Sequence, residues 1–261
     1  MRTIVVRKSN FKRYLTFILA TVIILFVTHH LMVLLHEWTH GTTAWMFGCK
    51  DSPFDIQYGG WTLSNVDENI NYKLLFSTEK GFVASMIAVS ALLMNALLFI
   101  LSIILLSRKT IQRKRWFFHF FYWFAVMNIG ELFSYIPVRT FVINRGDVGH
   151  FTYGLNLSPW VVFVPGIFLV AWGLWYIIKR ETPRFYHLMA LSSVLWRHIH
   201  FIILVFVIFF WFGSSAFYDY GMNSLWSLWS LVSVLMGVVV FIICNPSSEW
   251  VKRAVDLYAL E

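Results

Sequence analysis

Cysteine, acidic side chains and proline are all scarce in this chain. The only cysteines, Cys49 and Cys244, cannot build a disulfide framework, and neither has the close Cys or His neighbours of a CxxC-type metal motif, so both read as small packing residues. Charged residues of either sign make up 13% of the chain against 59% hydrophobic, with a mean hydropathy of +0.67, which excludes an ordinary soluble domain. The net charge of +8 does not point to nucleic acid, because the basic residues gather at the ends of apolar runs instead of forming one stripe. The expected solvent is the lipid bilayer.

What the chain has in quantity is long apolar runs. The first starts at Tyr14, after a basic segment from Met1 to Arg13, and carries no charge up to Leu35. Its length suits a bilayer-spanning helix, and no small-residue cleavage site interrupts it, so it is expected to be a retained membrane helix running on to a cap at Gly48. Further spans are expected over Phe82 to Leu106, Phe117 to Val138, Pro159 to Ile178 with a kink at Pro165-Gly166, Ile199 to Phe212 extended backward toward Tyr186, and Ser224 to Cys244. Lys179 to Pro183 reads as a basic turn. From Pro246 on, Trp250, Val255 and Tyr258 mark an amphipathic tail on the membrane surface.

The expectation is therefore an all-α polytopic membrane protein of about six transmembrane helices, a single integral domain over 1–261. It has a core over 14–158, additional helices over 159–244 and a tail over 245–261. The polar stretch Cys49 to Gly81 contains Phe54 to Tyr58, which alternates apolar and polar before Gly59-Gly60 and Trp61 to Leu63, and this reads as a small hairpin. Its edge is able to pair with an extended peptide or to be structural only. Lys and Arg number sixteen on one side of the six spans and five on the other, so both termini are expected in the cytoplasm, of a bacterial inner membrane or of the endoplasmic reticulum.

One stretch organises the rest: His36-Glu37-Trp38-Thr39-His40. Positions i and i+4 share a helix face, so both histidines can turn a ring nitrogen toward one metal ion. Glu37, between them, can take a proton from water without joining the ligands, the usual arrangement in zinc peptidases. Ionisable residues at membrane depth mark a site or a pathway. His29, about two turns before His36, and His30 lie too far along the axis to share that metal and read as bundle-facing polar residues.

A catalytic zinc needs a third protein ligand, and Asp147, Glu131 and His150 are the candidates, with Asp147 preferred; a salt bridge to Arg145 is the structural alternative for Asp147. By the topology above, His36, His40 and Asp147 lie toward the same face of the bilayer. A membrane di-iron desaturase or hydroxylase is a second reading, since His36 and His40 also form HxxxH and His29-His30 and His198-Ile199-His200 add imidazoles, but the dense HxxHH clusters of such enzymes are lacking. A non-proteolytic membrane binding protein on a protease-like scaffold is a third, and it leaves Glu37 without a use.

The stretch from His36 to Gly48 resembles the first motif of the site-two protease family of intramembrane zinc metallopeptidases, including Ala44 and the closing Gly48. Ala91-Leu92-Leu93-Met94-Asn95 is similar to the family's Gly-Pro-x-x-Asn motif at the asparagine, without the Gly and Pro. Asn128, Pro137 and Gly146-Asp147 resemble its last motif in stretched form, with Gly before Asp. The resemblance implies Zn2+ as cofactor, Asp147 as third ligand, a membrane protein or peptide as substrate, and Asn95 as a hydrogen-bond donor near the developing oxyanion. A helix-to-helix hydrogen bond is the other reading of Asn95.

Overall fold

The computed structural model describes residues 7–61, 63, 65–142, 145–221 and 224–260. Arg2 of the basic amino-terminal segment and Thr62 of the expected hairpin lie outside them. Helix α1 (Arg7–Met46) takes in the whole first apolar run and the histidine motif without a break. It ends where Gly48 turns left-handed at φ 69°, with Gly48 N–H donating to the Trp45 carbonyl and Cys49 N–H to that of Ala44. This is the double hydrogen bond by which a glycine satisfies the last carbonyls of a helix.

Beyond it come α2 (Tyr72–Ser77), α3 (Gly81–Leu106), α4 (Lys109–Gln112) and α5 (Arg115–Phe133), the last carried on by a wide π turn over Ser134–Val138. A short α6 (Gly146–Gly154) follows. Next, α7 (Trp160–Tyr176), a π turn over Ile177–Glu181 and α8 (Thr182–Leu188) form one continuous helical rod. The remainder comprises α9 (Val194–Val205), which runs through further turns into α10 (Ser215–Tyr220), then α11 (Leu228–Ile243) and α12 (Glu249–Leu260).

Among the described residues, five helical stretches are long and apolar enough to cross a membrane: Tyr14–Met46, Gly81–Leu106, Trp160–Leu188, Val194–Phe217 and Leu225–Ile243. Helix α5, expected as the third span, is not among them. It is the centre of the bundle, with every residue from Tyr122 to Gly130 buried against its neighbours. Helices α1, α3 and α5 pack on one another, and α6 packs along α3.

Three expectations change. The hairpin contracts to one isolated antiparallel bridge between Gln57 and Asp67, and there is no strand among the described residues. Left-handed turns at Gly59, Leu63, Asn65 and Asn69 bend the segment too often for two strands to run side by side. Lys179 to Pro183 is helical instead of a turn. Glu181 is fully buried and held by Arg184 at 2.8 Å, and Lys179 lies 3.6 Å from the centre of the Trp250 ring. The next helix accordingly begins at Val194, after a left-handed turn at Ala190, and does not reach back to Tyr186. The amphipathic tail is α12, and it docks on α8 with Val251 and Val255 buried.

Candidate metal centre

Two helices deliver three side chains to one point. His36 and His40 stand one turn apart on α1. Gly146, at φ 62°, swings the chain so that Asp147 enters the first turn of α6 facing them. His36 Nε2 lies 3.2 Å from His40 Nε2 and 3.1 Å from Asp147 Oδ2, and His40 Nε2 lies 3.4 Å from the same oxygen. All three residues are buried, at 4%, 1% and 5% exposure. Among the described residues this is the group of metal-type side chains close enough to share an ion.

The hydrogen bonds on the far side of each ring decide what those nitrogens carry. His40 Nδ1 lies 2.8 Å from the Ile87 carbonyl of α3, which can only accept, so Nδ1 holds the proton. His36 Nδ1 lies 2.7 Å from Asn95 Oδ1, also an acceptor. In the neutral rings both Nε2 atoms are then lone pairs, aimed at each other and at a carboxylate oxygen that receives no hydrogen bond despite these distances. Such a convergence is repulsive unless a positive charge sits within it. Ligand atoms about 2.05 Å from a tetrahedral zinc are separated from one another by about 3.3 Å, which matches the three distances found. The donor set therefore fits zinc.

Glu37 is half-buried on the same turn of α1, and its Oε2 is a buried oxygen with no partner, as a proton acceptor waiting for water would be. Tyr135, in the π turn after α5, stacks on His36 with ring centres 5.6 Å apart. Asn95 takes a different place from the one expected of an oxyanion donor. It is 1% exposed, its Oδ1 accepts from His36, and its Nδ2 donates to Asn128 Oδ1 at 3.1 Å.

Of the other third-ligand candidates, Glu131 and His150 lie outside the group of three, and His150 stacks on Tyr72 at 3.8 Å. His198 Nε2 pairs with Asn245, and His200 packs on Phe185, so these imidazoles do not join the centre. His29 and His30 line a cavity of about 410 Å³ with Phe26, Trp61 and Trp211. Cys49 and Cys244 are free thiols. The sequence placed Asn128 in the stretched last motif without indicating its partners, which are Asn95 and the Phe124 carbonyl. No family model, curated protein or solved structure matches the chain.

Proposed function

We propose that the chain is an intramembrane zinc metallopeptidase that hydrolyses a peptide bond in or near a transmembrane segment of a membrane protein. The observation that carries this reading is the convergence of His36 Nε2, His40 Nε2 and Asp147 Oδ2 at zinc-ligand spacing, beside the unpartnered carboxylate oxygen of Glu37. We further read six membrane passes, α5 being the third, with both termini in the cytoplasm.

Zinc held by His36, His40 and Asp147 would supply Lewis acidity to water and to the scissile carbonyl. Glu37 accepts the proton of the attacking water and returns it to the departing amine nitrogen. The two histidines hold their geometry because each ring is tied from behind, His36 by Asn95 and His40 by the Ile87 carbonyl, before substrate arrives. A substrate helix keeps its backbone bonds internal, so it must unwind locally to present a peptide bond. The segment around the Gln57–Asp67 bridge is where an extended strand would find backbone partners.

Metal content by mass spectrometry on detergent-purified protein tests the reading. The expected result is about one zinc per chain in the parent, lost in His36→Ala and Asp147→Ala and retained in Glu37→Gln. Glu37→Gln should also lose cleavage of a membrane substrate by about 10²–10⁴-fold. A parent with no zinc, or with two irons, overturns the peptidase reading.

A further inference from the structure

Behind His36 runs a chain of hydrogen bonds whose direction is set at its far end. Asn128 Nδ2 donates to the Phe124 carbonyl, one turn back on α5, at 2.7 Å. A main-chain carbonyl can only accept, so the amide of Asn128 has one orientation, with Nδ2 toward Phe124 and Oδ1 toward α3. That oxygen accepts from Asn95 Nδ2 at 3.1 Å, which in turn fixes the Asn95 amide and leaves its Oδ1 facing His36. Asn95 Oδ1 then requires a proton on His36 Nδ1, 2.7 Å away, and leaves Nε2 as the lone pair facing His40 and Asp147.

We propose that Asn128 is a positioning residue for the centre, acting through Asn95 to fix the tautomer and ring orientation of His36. The inference rests on the metal reading above only for its consequence, not for its geometry. Each amide has one donor end and one acceptor end, so polarity passes along the chain without ambiguity. Both asparagines are fully buried, Asn95 at 1% and Asn128 at 0% exposure, so water does not compete for these bonds. The relay also crosses three helices, from α5 through α3 to α1, and couples the packing of the bundle centre to one ligand atom.

Two measurements on the full chain in detergent test it. The first is zinc affinity by competition with a chromophoric chelator. Asn128→Leu removes the anchor and is expected to weaken zinc binding by about 10–100-fold. Asn128→Asp, buried beside a carbonyl and therefore a neutral acid, can donate its hydroxyl to Phe124 and accept from Asn95; it should stay within about threefold of the parent. Equal affinity in Asn128→Leu and the parent, or equal loss in both variants, overturns the proposal. The second is the 15N spectrum of His36 in the metal-free protein at alkaline pH, assigned by its absence in His36→Gln. The parent should show the Nδ1–H form, and Asn128→Leu should show a substantial Nε2–H population. An Nε2–H form in the parent overturns the relay even in a protein that binds zinc, whereas a parent without zinc but with the Nδ1–H form retains the relay and refutes the metal reading.

Discussion

Gly41 follows the second histidine, and its missing side chain is what lets the polar loop lie on α1 at that point. A Cβ there would run into the Pro53 carbonyl and then meet Ile56 at 3.5 Å. Backbone cannot yield as a flexible side chain does, so Gly41→Ala should push the loop away from the turn that carries His40. The expected cost is about 1–3 kcal/mol, read as a lower thermal midpoint in detergent. Gly60, in the same loop, is the control. A Cβ at Gly60 meets open space and its φ is not left-handed, so Gly60→Ala should leave the midpoint within about 0.5 kcal/mol of the parent. Equal midpoints for the two variants would show that the loop does not bear on α1 at Gly41. The proximity of His36, Glu37 and His40 was legible in five consecutive letters because a helix fixes their mutual positions locally. The roles of Asn95 and Asn128 were not, because their partners lie on other helices and only packing brings them together.

The short α6 carries Asp147, the third side chain of the candidate centre. It is held against α3 by a backbone contact between two glycines: a Cβ on Gly154 would strike the Gly81 carbonyl, and a Cβ on Gly81 would come 2.8 Å from that of Gly154. Ser85 adds a hydrogen bond to the Phe151 carbonyl at 2.9 Å. Gly154→Ala should therefore force α6 off α3 and carry Asp147 with it. We expect about 1–3 kcal/mol of lost stability together with zinc binding weakened several-fold. Ser85→Ala, which loses one hydrogen bond and no close approach, should cost only about 0.5–1.5 kcal/mol. Unchanged zinc affinity in a destabilised Gly154→Ala would separate Asp147 from the fit of α6. Elements whose stability is internal, such as α1, α3 and α11, were readable from their apolar runs. Those decided by tertiary partners were misread: the helical Lys179 to Pro183 segment depends on Arg184 and Trp250, and the paired strands of the expected hairpin give way to turns at Leu63, Asn65 and Asn69.

Among the described residues most of the basic side chains and the candidate centre occupy opposite ends of the bundle. Tyr14 at the start of the first span stacks on Trp196 at 4.5 Å, and Tyr14, Phe17, Arg115, Trp116, Met189 and Leu191 line one cleft. Lys179 sits over Trp250, so the start of the first span at Tyr14, the α4–α5 junction, α8 and the start of α12 share one end. The loop between α1 and α3, with Asp55, Asp67 and Glu68, and helix α6 are at the other. Anionic lipid and the positive-inside rule favour the basic end in the cytoplasm. In a cysteine-free background, Lys73→Cys lies at the start of α2 and is exposed, and Lys252→Cys lies on the exposed side of α12. Expressed in a bacterial inner membrane and treated as spheroplasts with a membrane-impermeant thiol reagent, Lys73→Cys should label at once and Lys252→Cys only after permeabilisation. The reverse pattern would invert the protein and place the metal centre near the cytoplasm. Labelling of both without permeabilisation would put them on one side, which needs an even number of crossings from α3 through α11 in place of the five assigned here, with α5 the first to reconsider because it is not among the stretches long and apolar enough to cross.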